Sequence, residues 1–187
     1  MSPTPSDAPA SGPGGPQAAT GSPVQAPQRM LIDLSEIDLT QRRYPREHIE
    51  KWNPHRGVMG MLDCIVWHTD DYTQGIGLHH IRHDAFWVPG HFPGKPLFPG
   101  VLMIETAAQL ACFMFIVRKP APTFVAFLRI ENAAFRSQVL PGDDFFVLCK
   151  EVKAQKRRFI TDVQGVVGDR IAFDARISGM MLEERAY

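Results

Sequence analysis

An imidazole and a carboxylate bracket the stiffest stretch of this chain. In GHFPGKPLFPGVLMIETAAQ, Gly90 to Gln109, His91 opens a loop rich in Pro and Gly, and Glu105 lies inside the apolar run that follows. Pro93, Pro96 and Pro99 each fix φ and restrict the residue before them. Gly90, Gly94 and Gly100 supply turns and permit close backbone approach. His91 is therefore expected to be held in place. Pro suits the start of a helix, where its missing N–H costs nothing. Gly100 and Val101 then present free backbone N–H groups with a helix dipole behind them, a cradle for a developing oxyanion. Glu105 lies one turn in, and Gln109 follows four residues later on the same face.

A base, an oxyanion cradle and a carboxylate suit proton removal beside a thioester carbonyl with loss of a β-hydroxyl. His91 would take the α-proton, the helix N–H groups would hold the enolate-like oxygen, and Glu105 would orient or protonate the departing hydroxyl. The residue types alone leave a plainer alternative open. A His beside Pro is often only a loop residue, and a Glu in an apolar helix is often hydrogen-bonded or at a subunit interface.

These residues need a frame. Val101–Arg118 is built of good helix formers, with Arg118 and Lys119 at its end and Pro120 as its stop. It is apolar almost all round, so it is expected to be enclosed by other elements. A short helix is expected around Arg46–Trp52. Met61–His68 and Ile76–Ile81 read as a hairpin across Asp70–Gly75. Thr123–Ile130, Asp144–Ala154, Phe159–Val167 and Arg170–Leu182 read as further strands, the last three an antiparallel meander. One long helix with strands before and mainly after it predicts an α+β fold, a central helix wrapped by a curved antiparallel sheet.

The chain has 187 residues and no formal net charge. Residues 1–28 contain seven Pro, four Gly, one acid and no base. That composition is expected to be a disordered tail and lacks the basic start and apolar core of a secretory signal. The folded domain is expected over residues 30–187. Val101–Val117 is short for a bilayer and carries Glu105, so a buried helix is expected and no membrane span. Cys64, Cys112 and Cys149 are odd in number and far apart, which excludes a Cys-x-x-Cys motif and fits a reduced cytoplasmic setting. Neutral charge gives no nucleic-acid signature. His79 and His83 share a strand face with no carboxylate or Cys at ligand spacing except Asp84, and are expected at an exposed or hydrogen-bonded strand end; no metal site is expected. Lys150, Lys153, Lys156, Arg157 and Arg158 form a basic hairpin edge, either a solvated edge or a docking surface for an acidic partner. Cys112, about two turns beyond Glu105, is expected to be a buried structural thiol.

The stretch Gly90–Gln109 closely resembles the active-site signature of the 3-hydroxyacyl-acyl-carrier-protein dehydratases: His-Phe-Pro-x-x-Pro-x-x-Pro-Gly-Val-Leu, then Glu and Gln in the helix. Pro54-His55-Arg56 with Asp63, the aromatic pair Phe86-Trp87, Ile130–Arg136 and Val139–Asp143 are similar to further family segments. The resemblance covers roughly residues 47–182.

It implies the hot-dog fold and a homodimer, often assembled into a hexamer. It implies His91 as catalytic base and Glu105 as its carboxylate partner, meeting across the dimer interface. Gly100, with Val101, would supply the oxyanion N–H, and Gln109 would hold Glu105. The substrate would be an acyl chain on the phosphopantetheine arm of an acyl carrier protein, entering a tunnel along the helix, with no metal or redox cofactor. Glu rather than Asp at position 105 implies dehydration without isomerisation. One departure stands out. Where the family has Tyr-Pro-Phe after Pro-His-Arg, this chain has Gly57-Val58-Met59-Gly60, expected to be small and flexible at the tunnel mouth. Two other functions fit the same residues less well: a hot-dog thioesterase, which the Pro-rich loop disfavours, and a non-catalytic acyl-carrier-binding subunit.

Overall fold

The structure, a computed structural model, describes residues 29–182; the expected tail lies outside them. Seven strands form one sheet: β1 (Tyr44–Pro45), β2 (Cys64–His68), β3 (Gln74–His80), β4 (Val125–Phe135), β5 (Asp144–Ala154), β6 (Arg158–Val167) and β7 (Arg170–Met181). Their order is β1-β2-β3-β5-β6-β7-β4, and every pairing is antiparallel. Two helices accompany them, α1 (Arg46–Ile49) and α2 (Gly100–Ile116). The α+β architecture is the one expected.

Between β3 and β4 the chain leaves the sheet, runs through the Pro-rich loop and α2, and rejoins at the far edge as β4. The helix thus crosses one face of the sheet and touches β3, β4, β5, β6 and β7. Register shifts at Ile65/Trp67, Phe127/Arg129, Glu131/Ala134, Glu151/Lys153 and Gly165/Val166 mark bulges. Bulges increase local twist and bend the strands, so the sheet curls around the helix. Gly165 permits that closeness: a Cβ there would lie 2.5 Å from the rings of Phe145 and Phe173.

Alternation sends Phe145, Val147, Cys149, Phe159, Val163, Phe173 and Ile177 toward α2, where they meet Ala107, Leu110, Phe113 and Met114. A smaller cluster lies separate from this core. There Ile32, with Met30, Leu31, Leu34, Ile37 and Leu39, packs against Cys64, Val66, Ile76, Leu78, Leu148 and Val166. This N-terminal strap is tied down where Gln164 Oε1 accepts the Leu31 N–H at 2.9 Å.

Enclosure of α2 is incomplete, which corrects the expectation. Val101 is exposed and Glu105 and Ala108 are half-buried, while the flanking residues Met103, Ile104, Thr106, Ala107 and Gln109 are buried. Positions 101, 105 and 108 lie one above another on one stripe. The sheet of this chain leaves that stripe uncovered, and Glu105 is on it.

Candidate active site

The loop before α2 closes on His91. The His91 N–H donates to Trp87 O at 2.9 Å, and His91 O accepts the Leu97 N–H at 2.7 Å. The imidazole Nδ1 lies 2.6 Å from Leu97 O. A carbonyl can only accept, so Nδ1 carries a proton, and in the neutral ring Nε2 is the nitrogen that holds the lone pair. That is the tautomer a base requires. The Phe92 ring stacks on the imidazole at 4.2 Å. The rigidity expected from the prolines is thus completed by hydrogen bonds to Leu97.

His91 lines a cavity of about 500 Å³ with Leu97, Phe98, Pro99, Gly100, Val101 and Phe135. The first helical acceptor is Pro99 O, which takes the N–H groups of Leu102 and Met103. The Gly100 and Val101 N–H groups precede any intrahelical bond and have no backbone partner among the described residues. Glycine at position 100 has a second cause: a Cβ would lie 2.7 Å from the Phe135 ring. His91, Gly100 and Val101 therefore line one cavity.

Glu105 opens elsewhere. It lines a cavity of about 60 Å³ with His55, Ala108, Gln109, Cys112, Val125, Phe127 and Phe159. Gln109 Nε2 donates to Glu105 Oε1 at 2.8 Å and to Met59 O at 2.7 Å, while Gln109 Oε1 accepts the Met61 N–H at 2.9 Å. His55 Nε2 stands 3.4 Å from the same Glu105 Oε1. The Cys112 thiol is pushed up to about 12, by burial first and then by the charge of Glu105. A buried structural thiol is what the sequence predicts there. Within one chain the two cavities share no lining residue, so His91 and Glu105 are placed at separate openings.

Gly57-Val58-Met59-Gly60 corrects a second expectation. It is not loose. Gly57–Met59 form a turn of 3-10 helix, with Gly57 at φ 59. Arg46 donates to Gly60 O, and Gln109 grips Met59 and Met61. A Cβ on Gly60 would lie 2.6 Å from the Arg46 guanidinium, so a side chain there would push that group off its place.

Asp63 organises the neighbouring sheet end. It accepts from Arg46 at 2.6 Å, Arg82 at 2.7 Å and the His80 N–H at 2.7 Å. Burial works against its charge, but the approach of His79, the His80 N–H and Arg46 override that, holding the carboxyl well below the usual carboxylate range. Of the two expected settings for the strand end, exposed or hydrogen-bonded, His79 is not the exposed one: it is buried beside Asp63, 3.5 Å away, and Phe98. No group of three or more metal-ligating side chains occurs among the described residues, nor is any helix among them long and apolar enough to cross a membrane. The sequence reading assigned no role to His55 itself; the Pro-His-Arg triplet around it was the available signal.

The FabA-like domain model matches residues 53–176. The 3-hydroxyacyl-acyl-carrier-protein dehydratase FabZ of Bartonella henselae is 36% identical over 137 residues, 70% of this chain and 85% of that protein. The bifunctional enzyme LpxC/FabZ of Porphyromonas gingivalis is 28% identical over 141 residues, 73% of this chain, which spans only 30% of that longer protein. Among solved structures, the dehydratase heterocomplex ApeI:P from Xenorhabdus doucetiae superposes with a TM-score of 0.65 at 14% identity, covering 76% of this chain and 94% of that one. That likeness speaks for the hot-dog fold alone. Together the matched span of the domain and the identity to dehydratases of similar length place this chain in the FabA-like family.

Proposed function

We propose that this protein dehydrates 3-hydroxyacyl-acyl-carrier-protein to the trans-2-enoyl form in fatty-acid biosynthesis, in a site shared by two copies of the chain. The observation that carries it is His91 with a free Nε2 lone pair in one cavity with the unpaired Gly100 N–H.

The chemistry follows from those groups. His91 Nε2 removes the α-proton. Charge develops on the thioester oxygen, where the Gly100 and Val101 N–H groups hold it. As the α,β double bond forms, the β C–O bond breaks, and Glu105 gives its proton to the departing hydroxyl, which leaves as water. His91 has gained one proton and Glu105 has lost one; their exchange through solvent resets the site. Side chains and backbone groups supply every step, and the phosphopantetheine arm only carries the acyl chain.

A second copy completes the site. Among the described residues β4 is an edge strand with an unpaired side, and it exposes Phe127, Leu128 and Ile130. Phe127 and Val125 on β4 also wall the Glu105 cavity. A partner paired along β4 covers these apolar side chains and the open stripe of α2, and brings its own His91 loop to Glu105. A homodimer, alone or within a hexamer, is the assembly this edge supports; we place its action on carrier-bound substrate in the cytoplasm. Purified protein is expected to convert a 3-hydroxyacyl thioester to the trans-2-enoyl thioester, with His91→Ala slower by about a thousandfold. An unimpaired His91→Ala enzyme overturns the assignment; release of free thiol instead of enoyl product would mean a thioesterase.

A further inference from the structure

We infer that His55 is a positioning residue for Glu105, working with Gln109 to fix one carboxylate oxygen so that the other faces the substrate; this rests on the assignment of Glu105 as the proton donor. Two nitrogens converge on Glu105 Oε1, Gln109 Nε2 at 2.8 Å and His55 Nε2 at 3.4 Å. Oε2 takes no hydrogen bond or ion pair from the described residues, so it is the oxygen left to meet the substrate hydroxyl. When Glu105 releases its proton, two N–H groups already aimed at Oε1 stabilise the charge left behind. The 3.4 Å separation is longer than a hydrogen bond, and catalytic contacts of this kind tighten when substrate is bound.

The chain around His55 is built to hold that ring. Pro54 fixes the backbone before it. Asn53 Nδ2 donates to Gln109 O at 2.9 Å, tying the segment to the helix that carries Glu105. The Arg56 guanidinium donates to three carbonyls, those of Glu50 at 2.6 Å and of Asn53 and His55 at 2.8 Å each. Arg56 thus spends its donors on the backbone that supports His55, which gives the Pro-His-Arg triplet a physical role. The remaining ring nitrogen, His55 Nδ1, is buried without a hydrogen-bond partner. A proton there would be buried unsatisfied, so the proton belongs on Nε2, pointing at Glu105. The groups that face this carboxylate are His55 from the segment after α1, and Gln109 and Cys112 from α2; the strands contribute only Val125, Phe127 and Phe159.

The test uses the full-length enzyme with a 3-hydroxyacyl thioester on the acyl carrier protein. His55→Leu is expected to lower kcat by about tenfold to a hundredfold while KM stays within about twofold, because the lost group acts on the reacting carboxylate and not on binding. His55→Gln places an amide N–H near the position of the imidazole Nε2 and is expected to recover most of that loss. Nitrogen-15 NMR of the wild-type imidazole is expected to show the Nε2–H tautomer, a readout that stands even where a variant folds poorly. Unchanged kcat in His55→Leu, equal loss in His55→Gln and His55→Leu, or an Nδ1–H tautomer overturns the inference. Glu105→Gln serves as the separate control. Full turnover in that variant would remove the underlying assignment of Glu105, whereas an inactive Glu105→Gln beside a normal His55→Leu removes only the role of His55.

Discussion

Gln109 holds Glu105 from one turn further along the helix, with its Nε2 2.8 Å from Glu105 Oε1. The same amide bonds the backbone of Met59 and Met61. A single buried side chain thus fixes the carboxylate and the segment that departs most from the family pattern. Gln109→Leu keeps the volume but strands the buried Met61 N–H and removes the partner of the Met59 carbonyl. It is expected to cost roughly 2–3 kcal/mol in denaturant unfolding and to slow turnover, since buried groups left unpaired carry their full desolvation cost. Unchanged stability would show that the amide is not the tie between these elements.

Gly100 serves two needs at once. It lines the cavity of His91, and its bare Cα lets the Phe135 ring approach. Gly100→Ala is expected to cost about 1–3 kcal/mol of stability through overpacking. The start of α2 shifts with it, so kcat is expected to fall. Phe135→Leu in the Gly100→Ala background makes room for the new methyl, and thermal unfolding is expected to recover toward wild type. Failure to recover would place the role of Gly100 elsewhere than in its contact with Phe135.

Asp63 gives the fold an acid-sensitive tie. Its carboxyl ionises well below the usual range, so it binds a proton more readily in the unfolded chain than in the folded one. The stability it contributes is therefore present above about pH 4 and is lost as pH falls below that value. Asp63→Asn leaves Arg46 and Arg82 without their carboxylate and is expected to cost on the order of 3 kcal/mol at neutral pH. The variant's unfolding free energy is also expected to fall less steeply than wild type below about pH 4. Parallel curves in urea titrations across that window would rule this out.

The edge strand β4 is expected to be the contact between chains. Ile130→Arg places a charge on its exposed apolar surface and is expected to yield monomers by light scattering, with turnover lost alongside. A fully active Ile130→Arg dimer would move the interface off β4.

Much of this was legible in the residues. The helix was readable because Ala, Leu, Met, Glu and Gln run from Val101 to a clear Pro120 stop, and the meander because its strands are separated by turn residues such as Gly168-Asp169. The strand signal for β4 stops at Ile130, short of its end at Phe135. Asn132 adopts φ 53 and two bulges carry the strand on to Phe135, and such irregularities have no strong alternating signal. The strap from Met30 to Leu39 was missed because its apolar residues follow neither helix nor strand spacing; it is held by packing on the sheet. At the site, His91 and the helix N-terminus were readable because Pro and Gly dictate local geometry. The approach of His55 to Glu105 was not, since it depends on how α1 and its following turn dock on α2. The stripe left open along α2 was also hidden, because sequence shows that a helix is apolar but not which face its own sheet covers.

The shared site is tested most directly by mixing two inactive proteins. His91→Ala and Glu105→Gln chains are purified separately, combined under conditions that allow subunit exchange, and assayed for trans-2-enoyl product. A site built from two chains leaves one intact His91–Glu105 pair in each mixed dimer. The mixture is then expected to regain about one quarter of wild-type turnover per chain, as statistical pairing of a two-fold dimer requires. Mixed dimers that form, as shown by differential tagging, yet remain as inactive as their parents would contradict it.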